Sequence, residues 1–429
     1  MSAPASRPED RIAIIGLGYV GLPLAAAFAD SGIEVVGIDV SEDKVATIRS
    51  GRSVTPDVPH DVVQKHVAAG RLSATTDFAA VADVRMISIC VPTPLGKSKD
   101  PDISYIVKAT EALVPHVAKG TTLVLESTTY PGTTREIIQP RFEEQGFVIG
   151  KDLFLAFSPE RIDPGNPKWN VKNTPKVVGG LTDECTQRAS AFYARALEHI
   201  VPVRDAETAE LAKLLENTFR SINIGLVNEL AIACRRLGIS VFDVIDAAAT
   251  KPFGFMPFRP GPGLGGHCLP IDPLYLSWKM RTLDYKVRFI ELADEINSSM
   301  PDYVVARCAE VLNQDSKSVK GSHVLLLGIA YKKDIDDMRE SPALDVYDEL
   351  RRRGAKVSFF DPHVPSFRFE GSVIASVDGG AALDVAYDLM VITTDHTAFE
   401  YERFVARGIP ILDTRNALGR RSEDHVHSL

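Results

Sequence analysis

A glycine-rich loop near the start of the sequence has the spacing of a phosphate-binding turn. The loop GLGYVG comprises Gly16, Gly18 and Gly21, with Tyr19 and Val20 between them, and it follows the apolar run IAII. Glycines at these positions permit a tight turn between a strand and a helix, and they let backbone amides approach a pyrophosphate. Together with the predicted helix that follows it, the loop predicts dinucleotide binding.

Asp39 and Lys44 are candidates for binding the ribose of that dinucleotide. Asp39 ends the apolar run IEVVGID, about 20 residues beyond the loop, where an acid accepts a hydrogen bond from a ribose 2′-hydroxyl. A carboxylate there repels a 2′-phosphate, so the sequence predicts NAD rather than NADP as the cofactor. Lys44 could reach the same ribose, and a solvated surface lysine explains it equally well.

Cys268 lies in a second glycine-dense segment, PGPGLGGHC, which includes Gly265. Bulky side chains are scarce there, so a ligand could contact the backbone, and such loops usually serve function. A cysteine in this setting is a nucleophile if its thiolate is favoured. Cys234 and Cys308 lie in predicted helices and are more typical of small core residues. Spacing alone leaves a catalytic and a structural role open for Cys268, and it favours a structural role for His267.

Polar residues follow three strand-like runs, at the points where the strands would end. They are Thr93 in VPTP, Thr128 in ESTTYPGTT, and Glu160 and Arg161 in SPER. Because the carboxyl ends of parallel strands line a ligand crevice, Glu160 is a candidate general base and the hydroxyls are candidates for cofactor binding. The alternatives are a loop salt bridge between Glu160 and Arg161, and hydroxyls that merely cap turns.

Three polar residues share one face of a long predicted helix in the middle of the chain. Lys213, Asn217 and Arg220 follow one another at i, i+4 and i+7. None of them interrupts the apolar stripe of that helix, so the residues alone favour a solvated face.

The elements that would position these residues alternate between strand and helix at both ends of the chain. Strand-like apolar runs cover residues 12–15, 33–39, 86–91, 122–125 and 154–157, and later 320–329, 356–360, 389–393 and 409–413. Helix-length segments separate the runs, which predicts parallel sheets. Helical periodicity covers residues 206–237, 241–249, 288–312 and 342–353. The first three of these predict a connector of long helices.

The composition excludes several classes of protein. A chain of 429 residues with 45% hydrophobic and 24% charged residues predicts two or three globular domains. The net charge of -9, with both signs interspersed, argues against nucleic-acid binding. The five cysteines show no CxxC pair, so we expect neither a disulfide framework nor a metal site, and they suit the cytoplasm. We expect no secretory leader and no membrane span, because no apolar run reaches about 18 residues.

Taken together, the motifs resemble the UDP-glucose/GDP-mannose dehydrogenase family. They are, in order, GLGYVGLP, ESTTYPGTT, SPER, KLLEN, GPGLGGHC and YKKDIDDMRESP, and the resemblance extends to the DTRN that begins at Asp413. It implies a four-electron oxidation at C6 of a UDP-sugar, in which two NAD molecules in sequence each accept one hydride and Cys268 carries first a thiohemiacetal and then a thioester.

The resemblance also implies roles for individual residues. Cys268 would attack the C6 aldehyde, Lys213 and Asn217 would stabilise charge on the C6 oxygen, Asp272 and Thr128 would hold and activate water, and Glu160 would assist hydrolysis. Cofactor contacts are implied at Gly16, Gly18, Tyr19, Val20, Gly21, Asp39, Lys44, Thr93 and Thr128. Substrate contacts are implied at Glu160, Arg161, Lys213, Asn217, Arg220, Gly265, Lys332, Arg339 and Arg415.

The resemblance completes the prediction of domains. We expect an α/β protein with two Rossmann-like, doubly wound parallel-sheet domains joined by a long-helix connector domain. The predicted boundaries are 1–10 for a flexible tail, 11–200 for an NAD-binding Rossmann domain, 201–315 for a helical central and dimerisation domain, and 316–429 for a UDP-sugar-binding Rossmann-like domain. A homodimer or higher homo-oligomer is therefore expected.

The motifs most resemble those of the branch that oxidises UDP-N-acetylglucosamine for surface polysaccharides such as lipopolysaccharide. UDP-N-acetylgalactosamine, UDP-N-acetylmannosamine and UDP-glucose are the alternative substrates, and a non-catalytic nucleotide-sugar sensor is a further alternative. UDP-glucose enzymes typically have a second acid four residues beyond the position of Glu160, where this chain has Pro164.

Overall fold

The computed structural model describes residues 11–96, 100–162, 166, 168–266 and 268–429, and they form two compact units. The first unit contains the described residues up to Glu216 together with Leu274–Tyr285, and the second contains Asn217–Pro273 and Lys286–Leu429. The predicted tail, Pro164 and His267 lie outside the described residues. The domain boundaries stated above stay a prediction.

The first unit is built on an eight-stranded sheet. Its strands are β1 (Arg11–Ile15), β2 (Glu34–Ile38), β3 (Leu72–Thr75), β4 (Met86–Ile89), β5 (Thr121–Leu125), β6 (Leu153–Phe157), β7 (Lys176–Gly180) and β8 (Ile200–Pro202), in the order β3-β2-β1-β4-β5-β6-β7-β8. All neighbours are parallel except β6 and β7. The predicted parallel sheet is confirmed, and β7 adds a reversal that the sequence did not indicate.

Helices cover both faces of this sheet. They are α1 (Gly21–Asp30), α2 (Glu42–Arg49), α3 (His60–Ala68), α4 (Ser104–Leu113), α5 (Gln139–Glu143) and α6 (Asp183–Tyr193). Along β1, Ile12 and Ile14 belong to one buried cluster, and Ala13 and Ile15 belong to another. Because successive side chains of a strand point to opposite faces, this alternation shows an apolar layer on each side, and it explains why the strands have no polar face.

The second unit combines long helices with a smaller sheet. Its helices are α8 (Val241–Ala249), α10 (Arg288–Gln314), α11 (Pro342–Arg352), α12 (Ala381–Asp384) and α13 (Tyr401–Val405). Its strands are β9 (His323–Leu327), β10 (Lys356–Phe360), β11 (Ser366–Phe369), β12 (Ser372–Ala375), β13 (Leu389–Ile392), β14 (Ile411–Asp413) and β15 (Val426–Ser428). Five of them form a parallel sheet in the order β10-β9-β13-β14-β15, and β11 and β12 form a hairpin.

Two helices contribute residues to both units. They are α7 (Ala206–Leu237), whose bounds match the predicted helix, and α9 (Asp272–Arg281). The α/β class with a helical middle section is therefore confirmed. None of the helices in the described part of the chain has the length and apolar character that a membrane span requires.

Glu210, in the second turn of α7, holds the turn that follows β5. Its buried carboxylate accepts the N–H groups of Gly132 at 2.5 Å and Thr134 at 3.0 Å, and the Thr134 hydroxyl at 2.8 Å. Burial raises the pKa of Glu210 to about 7, although these donors oppose it. This carboxyl group therefore changes its charge near neutral pH inside a structural contact.

We expect Glu210 to make the free energy of unfolding fall as pH rises from about 4.5 to about 7. The folded state binds this proton more tightly, so the stabilisation is complete below the unfolded pKa of 4.5 and is lost as pH rises through 7. The change is on the order of 3 kcal/mol. Urea unfolding between pH 4.5 and 8 measures it, and Glu210→Gln should remove the dependence.

Glu229→Gln, at an exposed position of the same helix, is the matched control and should keep the dependence. If wild type and Glu210→Gln differ by the same free energy at every pH, the predicted titration of Glu210 is wrong.

Candidate active site

The three glycines of the first loop have different surroundings. Gly16 has φ +91°, and a Cβ there would lie 2.6 Å from the carbonyl oxygen of Cys90. A Cβ on Gly21 would lie 1.9 Å from the Gly16 carbonyl oxygen, whereas one on Gly18 would meet nothing within 4 Å. Packing therefore requires glycine at the two ends, and the centre is open to a ligand. Val20, which precedes α1, makes no side-chain cap, so the helix start suits a pyrophosphate.

Asp39 connects the end of β2 to this loop. One oxygen of its buried carboxylate accepts the N–H of Leu17 at 2.9 Å, and the other accepts the N–H of Ser41 at 3.0 Å. Lys44 reaches the same carboxylate at 3.4 Å, and its side chain is 45% exposed. The structure thus brings Gly16, Asp39 and Lys44 together at one edge of the sheet, as the dinucleotide prediction requires.

The loops after β4 and β5 are tied to each other and to α9. The Ser127 hydroxyl donates to the Val91 carbonyl at 2.7 Å, and the Tyr275 hydroxyl donates to the Thr93 carbonyl at 3.0 Å. Thr93 is buried and Thr128 is half-buried. Both predicted threonines therefore follow strands that end at the carboxyl edge, where cofactors bind in such sheets.

Glu160 and Arg161 follow β6, and their side chains do not form an ion pair with each other. One oxygen of Glu160 accepts the N–H groups of Arg161 at 2.7 Å and Ile162 at 2.6 Å. The Arg161 guanidinium instead pairs with Glu216 at 2.7 Å and donates to the Pro175 carbonyl at 2.8 Å. The simple loop salt bridge between the two residues is thus not what the structure shows.

The predicted polar face of α7 divides into buried and exposed positions. Lys213 and Asn217 are 9% and 5% exposed, whereas Arg220 is exposed. The interpretation as a solvated face is therefore wrong for the first two residues. Within the described part of the chain, the ammonium at the end of the largely buried Lys213 side chain makes neither an ion pair nor a hydrogen bond.

Asn217, Cys268 and Asp272 lie within the second unit. The Asn217 amide donates to the buried Asp272 carboxylate at 2.6 Å. Asp272 is the first residue of α9, and its N–H donates to the Cys268 carbonyl at 2.8 Å. Cys268 thus occupies the turn that leads into the N-terminus of α9.

The cysteines differ in accessibility. Cys268 is exposed, and the other four are buried. Burial raises the pKa of the Cys90 thiol well above its usual value and that of Cys308 to about 12. These two thiols are poor nucleophiles at neutral pH, which leaves Cys268 as the cysteine suited to reaction.

The glycine segment before Cys268 packs against two other predicted motifs. A Cβ on Gly265 would lie 2.6 Å from the Tyr331 Cβ, and the N–H of the next glycine donates to the Arg339 carbonyl at 3.1 Å. A Cβ on Gly261 would lie 2.6 Å from the Arg415 guanidinium. The second unit therefore gathers Gly265, Arg339 and Arg415 beside one segment of backbone.

The cationic side chains of this region differ in their contacts. Arg339 makes a two-point ion pair with Asp337, and Arg415 donates to the Thr393 carbonyl at 2.9 Å. Lys332 is half-buried. An anionic ligand at Arg339 would compete with Asp337, whereas Arg415 meets a neutral acceptor.

Sequence analysis did not identify the residues that hold these motifs by hydrogen bonds or ion pairs. Asn228 accepts the N–H of Gly261 at 3.0 Å and donates to Asn297 at 2.9 Å, which donates to the Ser221 carbonyl at 3.1 Å. Lys176, at the start of β7, lies 3.6 Å from Glu160. The signal that could have identified them is a polar residue within an otherwise apolar stretch of sequence.

A second polar cluster in the second unit contains Asp334, His363 and His396, with potential ligand atoms within 4.8 Å of one another. Nδ1 of His396 accepts the Asp334 N–H at 2.9 Å, and its Nε2 pairs with Asp361 at 3.1 Å. Thr397 donates to Asp334 through both its N–H and its hydroxyl. A metal ion would have to break a bond of His396, so a structural network explains the cluster better.

Three models of one protein family match consecutive parts of the chain. The NAD binding domain of the UDP-glucose/GDP-mannose dehydrogenase family matches residues 10–197, its central domain matches 207–299, and its UDP binding domain matches 325–420. The chain belongs to this family. The general activity of this chain is therefore that of the family, the NAD-dependent oxidation of a UDP-sugar.

Relatives within the UDP-glucose/GDP-mannose dehydrogenase family differ in their sugar. A UDP-N-acetyl-D-mannosamine dehydrogenase of Methanococcus maripaludis is 35% identical over 91% of this chain and 87% of the relative. A UDP-N-acetyl-D-glucosamine 6-dehydrogenase of Pseudomonas aeruginosa is 35% identical over 91% of each chain. The structure of a UDP-D-ManNAc dehydrogenase from Pyrococcus horikoshii has a TM-score of 0.88 and 31% identity, covering 97% of this chain and 98% of that one.

We expect Asp39→Asn to weaken NADH binding by about tenfold, because the substitution removes a charged acceptor for the ribose hydroxyl. It should also narrow the preference for NAD over NADP, since the carboxylate no longer repels a 2′-phosphate. Fluorescence titration with NADH and NADPH measures both effects. The control is Asp43→Asn, an exposed acid on α2. Equal dissociation constants for wild type and Asp39→Asn would contradict the assignment.

Proposed function

We propose that the protein oxidises the C6 alcohol of UDP-N-acetyl-D-glucosamine to a carboxylate through a thioester on Cys268. The observation that carries the proposal is the position of this cysteine. Its side chain is exposed in the turn before α9, whereas the other four cysteines are buried. A thiol beside a helix N-terminus readily becomes a thiolate, which is the nucleophile that thioester formation needs.

The proposed reaction balances over four steps. Two NAD molecules, bound one after the other, would each supply an acceptor for one hydride, which is two electrons. C6 first loses a hydride and its hydroxyl loses a proton, which leaves an aldehyde. The Cys268 sulfur adds to the aldehyde carbon, and the resulting thiohemiacetal loses a second hydride and a proton to become a thioester. Water then adds to the thioester carbon, the carbon–sulfur bond breaks, and the acid leaves with the thiol restored.

Lys213 and Asn217 are proposed to stabilise negative charge on the C6 oxygen. The largely buried Lys213 side chain supports this role, since its ammonium has no partner in the described part of the chain and is available to an anionic ligand. The 2.6 Å bond to Asp272 orients the Asn217 amide. Asp272 and Thr128 are proposed to hold the hydrolytic water, and Glu160 is proposed to remove its proton.

The diphosphate of the substrate is assigned to basic residues of the second unit. Arg415, Lys332 and Arg339 supply positive charge, and Gly265 supplies close access to backbone. Arg161 and Arg220 are weaker candidates, because Arg161 is engaged by Glu216 and Arg220 is exposed.

The choice of sugar is proposed from the amino-acid sequences of the motifs. Several loops resemble the UDP-N-acetylglucosamine branch, and the Pseudomonas aeruginosa relative has that activity in its name. The Methanococcus maripaludis and Pyrococcus horikoshii relatives are named for the mannosamine epimer, so UDP-N-acetylmannosamine is the second candidate. We place the reaction in the synthesis of surface polysaccharide precursors.

We also propose that the chain forms a homodimer through α7. Leu211, Leu215, Phe219 and Leu226 are large apolar residues that are 42%, 64%, 45% and 59% exposed and recur along this helix at helical spacing. Such a stripe is typical of a helix–helix interface. Light scattering should give twice the chain mass for wild type and a lower mass for Leu215→Glu. A monomeric wild type at micromolar concentration would contradict the proposal.

The substrate is tested by counting NADH against sugar consumed. The purified protein is given UDP-N-acetylglucosamine and, separately, the galactosamine, mannosamine and glucose analogues. We expect two NADH per UDP-N-acetylglucosamine and little turnover of the others. Preference for another sugar would contradict the substrate assignment, one NADH per sugar would contradict the acid product, and no NADH with any sugar would favour a sensor.

Cys268→Ser tests the thioester in the same assay. We expect acid formation to fall about 1000-fold or more, because a serine ester cannot replace the activated thiolate. Cys185→Ser is the control, since Cys185 is buried and its sulfur already pairs with the Thr182 hydroxyl. Full acid production by Cys268→Ser would exclude the thioester mechanism.

A further inference from the structure

A buried ion pair within the first unit lies beneath the loop that carries Glu160. The Lys176 ammonium and the Glu126 carboxylate are 2.5 Å apart, with 7% and 0% of their side chains exposed. Glu126 also accepts hydrogen bonds from the hydroxyls of Ser88 at 2.5 Å and Tyr193 at 2.6 Å. With three donors on a fully buried carboxylate, Glu126 is a fixed anchor for the lysine.

Lys176 also faces a second carboxylate, that of Glu160, at 3.6 Å. The reversed strand β7 explains this contact. Phe157 of β6 pairs with Gly179 of β7 in antiparallel register. Moving three residues forward from Phe157 reaches Glu160, and moving three back from Gly179 reaches Lys176. A parallel β7 would begin at the opposite edge of the sheet, and its first residue could not reach Glu160.

The two oxygens of Glu160 have different partners. Oε1 accepts the N–H groups of Arg161 and Ile162, whereas Oε2 faces Lys176. The Arg161 guanidinium is directed to Glu216 instead. In the described part of the chain, Lys176 is the one cationic side chain within 4.0 Å of the Glu160 carboxylate.

The charges around Lys176 keep it protonated. Burial alone lowers the pKa of Lys176, but the attraction of Glu126 and Glu160 outweighs burial and raises it. The other titratable groups of the cluster are neutral at pH 7, because burial raises the pKa of Cys90 and of Tyr193 well above their usual values. Glu160 is therefore next to a permanent positive charge.

We propose that Lys176 is a positioning residue for Glu160. Glu126 holds the ammonium, and the ammonium orients the Glu160 carboxylate. The step it supports is hydrolysis: Glu160 takes a proton from water, the water oxygen bonds to the thioester carbon, and the carbon–sulfur bond breaks to release the Cys268 thiolate. The inference rests on the proposed function, and it adds Lys176, which is not one of the catalytic residues named there.

The test compares Lys176→Met with the double variant Glu126→Gln/Lys176→Met. The single variant leaves Glu126 buried without its cation and could fail to fold, whereas the double variant removes both charges together. We expect the double variant to lower kcat for acid formation about tenfold with little change in KM. The low-pH limb of the plot of kcat against pH should also move to higher pH, because the positive charge of Lys176 is lost from the site.

Slow hydrolysis has a further signature, a burst of two NADH per active site before a slower steady state. Lys176→Arg keeps the positive charge and should restore the wild-type limb. Lys172→Met is the matched control, since Lys172 pairs with Asp30 at the surface, and its kcat and limb should stay unchanged.

Each result separates the inference from the proposed function. If wild-type protein makes no acid from any UDP-sugar, the proposed function fails, whatever the variants do. If wild type makes acid and the double variant keeps its kcat and limb, only the role of Lys176 is wrong. A loss of kcat without a burst and without a shift of the limb would mean a purely structural role and would also overturn the inference.

Discussion

A buried carboxylate must find its hydrogen-bond donors within the protein, and the candidate site depends on this constraint. Asp39 accepts one N–H group from the glycine loop, Glu210 accepts two from the turn after β5, and Asp272 accepts a hydrogen bond from the amide of Asn217. An acid that is buried without donors costs several kcal/mol, so each loop is held in the one conformation that supplies them. The apolar clusters stabilise the sheets, but the carboxylates determine where the loops at their edges lie.

This division of labour suits the chemistry of a UDP-sugar dehydrogenase. The two hydride transfers and the hydrolysis that we propose need groups that keep their positions while the charge on C6 changes. Loops that packed only through apolar contacts would tolerate shifts that hydrogen bonds do not. Glu160 illustrates the point, because backbone N–H groups hold one of its oxygens and the ammonium of Lys176 faces the other.

The sequence predicted the elements better than the contacts between them. Apolar periodicity located the helix Ala206–Leu237 and the strand Lys356–Phe360 at their observed bounds, because burial on a regular element repeats along the chain. It could not show that Lys213 is buried, since a single lysine does not alter the period of the stripe. Nor could it show the Lys176–Glu126 pair, whose members are 50 residues apart, or the reversed direction of β7. Hydrogen-bond partners that distant leave no local pattern.

The most direct test of the thioester mechanism is the mass of the Cys268 peptide in enzyme stopped during turnover. Protein mixed with NAD and UDP-N-acetylglucosamine is quenched in acid within the first turnovers, digested and analysed by mass spectrometry. The thioester mechanism predicts an acyl adduct of the UDP-sugar on Cys268 that is absent when NAD is omitted. Acid formed at the full rate with an unmodified Cys268 peptide, or an adduct on another cysteine, would contradict it.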